Sequence, residues 1–151
     1  MERKKTPDWI RPDLREERGE IERVVIEFLG KEPAPENIAV VVSALESAPV
    51  IELSDEEWEL LENTDSNLGN VRPGHIEDAA KIHEVHNSKA PPENKHDFRK
   101  VLSGFLNGSK MKMPAILRDR NGRLHLVSGN TRLTICQALC VRPKVIIGKL
   151  D

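Results

Sequence analysis

The sequence predicts an α+β protein: a small mixed β-sheet with flanking helices, preceded by a helical N-terminal extension. Three observations predict it. Apolar residues in the first third recur at helical spacing, as in Ile21, Val24, Val25, Phe28 and Leu29. The last third alternates short apolar runs with turn residues, with Asn121-Gly122 between the runs 115–117 and 124–127. A β-branched run, "KVIIGKL", then follows at 144–150.

Taken in order, residues 1–19 are rich in proline and charge and read as an irregular, partly disordered arm. A helix follows from Glu20 and ends at Gly30, which can cap it in a left-handed conformation. Pro33 and Pro35 precede a second helix over 36–47, with Ile38, Val41, Val42 and Leu45 on one stripe. These two apolar stripes must be buried against the rest of the chain or in a homo-oligomer contact.

After Pro49, "PVIEL" reads as a short strand. Ser54-Asp55-Glu56-Glu57 is a capping box, in which the serine oxygen accepts an amide and Glu57 reaches back to the amide of Ser54. The helix carrying Trp58, Leu60 and Leu61 runs into a polar loop over 62–74. Helices over 76–86 and 97–106 come next, followed by the hairpin, a helix over 131–140 and the final strand.

Composition narrows function by subtraction. Basic residues number 23 and acidic 25, a formal charge of -2, so the chain as a whole makes no electrostatic case for nucleic acid. Aromatics are 3% with no tyrosine, which leaves few rings for stacking on bases. No run approaches the roughly 20 apolar residues of a membrane span, and no membrane partner is expected. The N-terminus Met1-Glu2-Arg3-Lys4-Lys5 lacks the apolar core of a secretory signal, so the expected location is the cytoplasm. Cys136 and Cys140, four apart on a helix, read as small buried side chains rather than a disulfide framework.

The junction "HLVSGNTRL" carries the chemistry. A strand that passes through glycine into a helix exposes the first free amides of that helix, and these amides with the positive end of the dipole bind anions. Ser128, Gly129, Asn130, Thr131 and Arg132 are the candidate phosphate- or nucleotide-binding residues. Gly129 permits close backbone approach, Thr131 offers a hydroxyl, and Arg132 a planar, permanently charged fork. The local pattern alone favours a capped helix with a solvated arginine.

The order of strand, Asn-Gly hairpin, strand, "SGNTRL", helix and strand resembles the ParB/sulfiredoxin-like superfamily. Members carry a Gly-x-x-Arg box at this junction, Gly-Glu-Arg-Arg in partition proteins and Gly-Cys-His-Arg in sulfiredoxins; here it reads Gly129-Asn130-Thr131-Arg132. The resemblance divides the chain into a charged arm and helical extension over 1–47 and a ParB/sulfiredoxin-like nucleotide-binding domain over 48–151. It implies that ATP or another nucleotide binds, with Mg²⁺, and that the box holds its phosphates. Asn130 replaces the reactive cysteine of sulfiredoxins, so that chemistry is not expected. Partition proteins continue into a helix-turn-helix region where this sequence stops at Asp151, so a partition role is not expected either. The sequence also looks like small ParB-like proteins of large tailed phages, which would place it in the host cytoplasm.

Three function classes follow from the resemblance. The first is a phosphotransferase, as in the free-serine kinases that share the pocket, or a nucleotide hydrolase. The second is a non-catalytic nucleotide-sensing or DNA-binding adaptor, and the third a nuclease. For the first, Glu62 and Asp65 in the loop "ENTDS" are the candidate catalytic carboxylates, since phosphoryl transfer uses an acid to orient metal or nucleophile. The same loop reads as a solvated helix end. His83 and His86 lack further ligands at zinc spacing and are expected on the surface, and no protein metal site is predicted. Arg118, Arg120 and Arg123 are expected to charge the hairpin tip for solubility; as a basic rim beside the phosphate pocket they would suit DNA or a nucleotide-like substrate.

Overall fold

The computed structural model describes residues 7–62, 71–89 and 98–150. In chain order the elements are β1 (Asp8–Ile10), α1 (Arg18–Glu27), α2 (Pro35–Glu46), β2 (Val50–Glu52), α3 (Asp55–Glu62) and α4 (Ile76–Lys89). They continue with α5 (Phe98–Leu106), β3 (Lys110–Lys112), β4 (Ala115–Arg118), β5 (Leu124–Ser128), α6 (Asn130–Leu139) and β6 (Lys144–Lys149).

The hairpin forms one edge of the sheet. Asp119 Oδ1 accepts the amides of Asn121 at 2.8 Å and Arg123 at 3.0 Å, and Gly122 takes φ +80°, so β4 turns back into β5. α6 then carries the chain across to β6, which lies parallel to β4. β2 adds antiparallel to β6, giving a four-stranded mixed sheet in the order β2-β6-β4-β5. The protein is therefore α+β.

Both faces of this sheet are covered. Ile116, Leu124, Leu126, Val145 and Ile147 pack with Trp58, Phe105, Leu133 and Ile135 of α3, α5 and α6. Ala115, Leu117, Val127 and Ile146 pack the other way, against Ile21, Val24, Val25, Ile38, Val41 and Leu45 of α1 and α2. Central strands buried on both sides need no polar alternation, which is why "VII" in β6 reads as a continuous apolar run. α4 packs behind α6 through Ala79 and Ala138.

The apolar stripes of α1 and α2 are thus buried on the sheet, in one core with it. The approach is close: a Cβ on Gly148 of β6 would sit 2.7 Å from the carbonyl oxygen of Ala44 in α2. The capping box forms as expected, with Glu57 Oε1 accepting the Ser54 amide at 3.1 Å and Ser54 Oγ accepting the Glu57 amide at 3.2 Å. No helix among the described residues is long and apolar enough to cross a membrane.

The arm differs from the expectation. Asp8–Ile10 forms β1, which pairs in parallel with β3. Trp9 packs edge-to-face on Phe105 at 5.5 Å. Arg11 then donates to the carbonyls of Leu45 and Ala48 at 3.1 Å, capping the end of α2. Neither three-residue strand has a periodicity that sequence can show; each exists because the other lies beside it.

Candidate functional site

β5 runs straight into the box. Gly129 is the N-cap of α6 with φ +102°, and the Leu133 amide returns to its carbonyl at 2.9 Å. A glycine cap brings no side chain to satisfy the first-turn amides, and the first turn holds no acidic residue. Gly129 is also pressed on its neighbour: a Cβ there would lie 2.8 Å from both Cα and Cβ of Pro114.

The α6 N-terminus opens into a cleft of about 700 Å³. Ser128, Gly129, Thr131 and Arg132 form its end, Leu126 and Val127 its floor. Glu17, Glu20 and Arg23 of α1 and the turn before it also line it, as do Lys110, Met111 and Lys112 of β3. Of the expected residues, the cleft therefore gathers Ser128, Gly129, Thr131 and Arg132. Asn130 stands at the first position of α6, with its side chain outside the described residues.

Each polar group has a definable state. Ser128 is only 8% exposed, and its Oγ makes no hydrogen bond. Arg132 Nη1 donates to the carbonyl of Lys112, tying the box to β3. Burial pulls the Arg132 guanidinium below its ordinary value, opposed chiefly by the charge of Glu17. Burial likewise pushes the Glu17 carboxyl up, opposed by Arg132, while the Glu20 charge adds to the rise and the nearby Ser128 hydroxyl, outside hydrogen-bond geometry, opposes it weakly. Arg23 is engaged elsewhere, with Glu20 at 3.0 Å, Glu27 at 3.1 Å and the Leu126 carbonyl at 3.0 Å. Lys112 pairs with Glu16.

Other candidates fall in different places. Glu62 ends α3 with its side chain outside the described residues, and Asp65 lies outside them altogether. The hairpin tip stands at the start of β5 and the box at its end, so the hairpin arginines do not rim the cleft. Arg118 instead pairs with Glu57 at 3.1 Å. His125 bonds Asp119 at 2.9 Å and stacks on Phe28 at 4.6 Å.

His83 corrects the surface reading: it is 2% exposed, because α4 packs on α6. Its Nε2 lies 3.0 Å from Thr134 Oγ, which already donates its proton to the Thr131 carbonyl at 2.8 Å. The histidine nitrogen is therefore the donor in that contact. His83 thus supports the box helix from behind. The side chain of His86 is outside the described residues. Of the cysteines, Cys136 is buried as expected, with its thiol pushed far up by desolvation. Cys140 is exposed and holds the left-handed C-cap of α6 at φ +57°.

Sequence reasoning missed Glu17, Arg23 and Lys112. Their charged neighbourhoods read as solvated surface, and only the fold of the turn before α1 over the box brings them in. Among the described residues no group of three or more His, Cys, Asp or Glu could hold a metal ion. No family model, curated protein or solved structure matches the chain.

Proposed function

We propose that this chain is a nucleotide-binding protein of the ParB/sulfiredoxin-like superfamily, acting as a phosphotransferase or nucleotide hydrolase. One observation supports the reading above the others. The N-terminus of α6 with its glycine cap, the buried Ser128 hydroxyl and Arg132 converge on one cleft of about 700 Å³. The order of hairpin, box, helix and strand around it resembles that of the superfamily.

In this reading the amides of Gly129–Thr131 and the Ser128 hydroxyl donate to phosphate oxygens, while Arg132 supplies charge. Mg²⁺ would come on the nucleotide, since magnesium binds through phosphates and water with few protein ligands. It would neutralise charge on the transferring group. Thiol chemistry at the box is not part of the proposal: Asn130 occupies the relevant position, and Cys136 is buried.

Calorimetry and thermal shift with ATP, ADP and CTP, each with Mg²⁺, test the reading on wild type and Arg132→Ala. Ligand at 100 to 1,000 times its Kd should stabilise the wild type by about 3 to 4 kcal/mol. Arg132→Lys retains the charge without the fork and separates phosphate recognition from the tether to Lys112. No shift with any nucleotide refutes the proposal. Binding without turnover across a panel of acceptors moves the assignment to a nucleotide-sensing adaptor.

A further inference from the structure

Glu17 stands in the wrong place for an ordinary anion cradle. It is the N-cap residue of α1, yet its side chain makes no cap to that helix. It is half-buried in the cleft instead, together with Ser128, Gly129, Thr131 and Arg132.

The surrounding charges do not neutralise it. On its own helix, Glu20 repels it and Arg23 is held by Glu20 and Glu27. From β3, Lys112 is paired with Glu16, and Lys110 is exposed. From α6, Arg132 attracts it while bonded to the Lys112 carbonyl, with Cys136 buried on the next turn. β5 contributes the Ser128 hydroxyl, and α5 contributes only the uncharged Val101. An oxyanion that takes the α6 amides, Ser128 and Arg132 would therefore sit beside a carboxyl and draw off the two groups that favour its charge.

We propose that a dianion entering the cradle brings a proton onto Glu17, so that occupancy of the cleft is coupled to pH through this residue. The inference rests on the cleft being an oxyanion site. Burial already holds the Glu17 carboxyl above its ordinary value of 4.5, and the bound anion raises it further. The sign follows by linkage. Affinity is greatest below the value of Glu17 in the free protein and falls as pH rises. It levels off above the value in the complex, with a slope of at most about tenfold per pH unit for one proton.

Sulfate is the probe, since it carries two charges throughout the range used. Isothermal titration of wild type and Glu17→Gln at about pH 5 to 8, in buffers of different ionisation enthalpy, reads both affinity and protons taken up. The wild type is expected to lose affinity with rising pH and to take up as much as one proton on binding. Glu17→Gln is expected to bind with a flat profile and more tightly than the wild type at the alkaline end.

A flat wild-type profile, or a slope kept by Glu17→Gln, overturns the coupling while leaving the cradle in place. Absence of both sulfate and nucleotide binding refutes the cradle itself. Should Glu17→Gln melt far below the wild type, the carboxyl carbon of Glu17 can be titrated by NMR in the wild type. An upward shift of its titration on adding sulfate supports the proposal, and an unchanged titration refutes it.

Discussion

Replacing Gly129 by alanine separates what the box does for the fold from what it does for a ligand. Two terms oppose the new methyl group. The backbone at φ +102° is one that residues with a Cβ adopt at a cost of about 1 to 2 kcal/mol. The Cβ would also stand 2.8 Å from Pro114 Cα and Cβ, in the tight connection between β3 and β4. Overpacking of that kind costs about 1 to 3 kcal/mol, since backbone rather than a flexible side-chain end must move. The sum is about 2 to 5 kcal/mol, or a fall in Tm of about 4 to 20 °C for a chain of this size. Urea unfolding in the absence of ligand measures it. Gly122→Ala is the control: its φ is +80°, but nothing lies within 4 Å of the added Cβ, so only the conformational cost of about 1 to 2 kcal/mol applies. If Gly129→Ala is no more destabilised than Gly122→Ala, the contact with Pro114 does not constrain the box and the reasoning fails.

Other outcomes follow from the same structure. In the native state a maleimide should label Cys140 alone, with Cys136 reacting only on unfolding; mass spectrometry counts the labels. Cys140→Gly should raise stability by about 0.5 to 1 kcal/mol in urea, because it relieves a left-handed C-cap. Arg72 holds the Asp78 carboxyl down to about 2, through contacts of 2.8 and 3.1 Å. That carboxyl lies below its ordinary value of 3.8, so its contribution is present above about pH 3.8 and is lost as pH falls toward 2. The protection factor of the Arg72 amide, which donates to Asp78 Oδ2, should fall through that window in wild type and stay constant across it in Asp78→Asn.

Much of the architecture could be read from the chain because it is decided within a few residues. The capping box, the Asn121-Gly122 turn and the apolar periodicity of α1, α2 and α5 are local, and each gave its element to within a residue or two. The box was readable for the same reason: a strand, a glycine and a helix are consecutive, and their junction exposes amides whatever surrounds it. What tertiary structure alone decided joins residues far apart in sequence. β1 and β3 are strands only as a pair, His83 is buried only because α4 lies on α6, and Gly148 is required only because Ala44 crosses it. Most consequential for the site, "REER" before α1 has the composition of a solvated arm, yet the turn it forms sets Glu16 on Lys112 and Glu17 beside Ser128 and Arg132. Charge patterns record which groups a chain carries. Which of them lose their water, and against whom, is settled by packing, and desolvation is what raises the Glu17 carboxyl and lowers the Arg132 guanidinium.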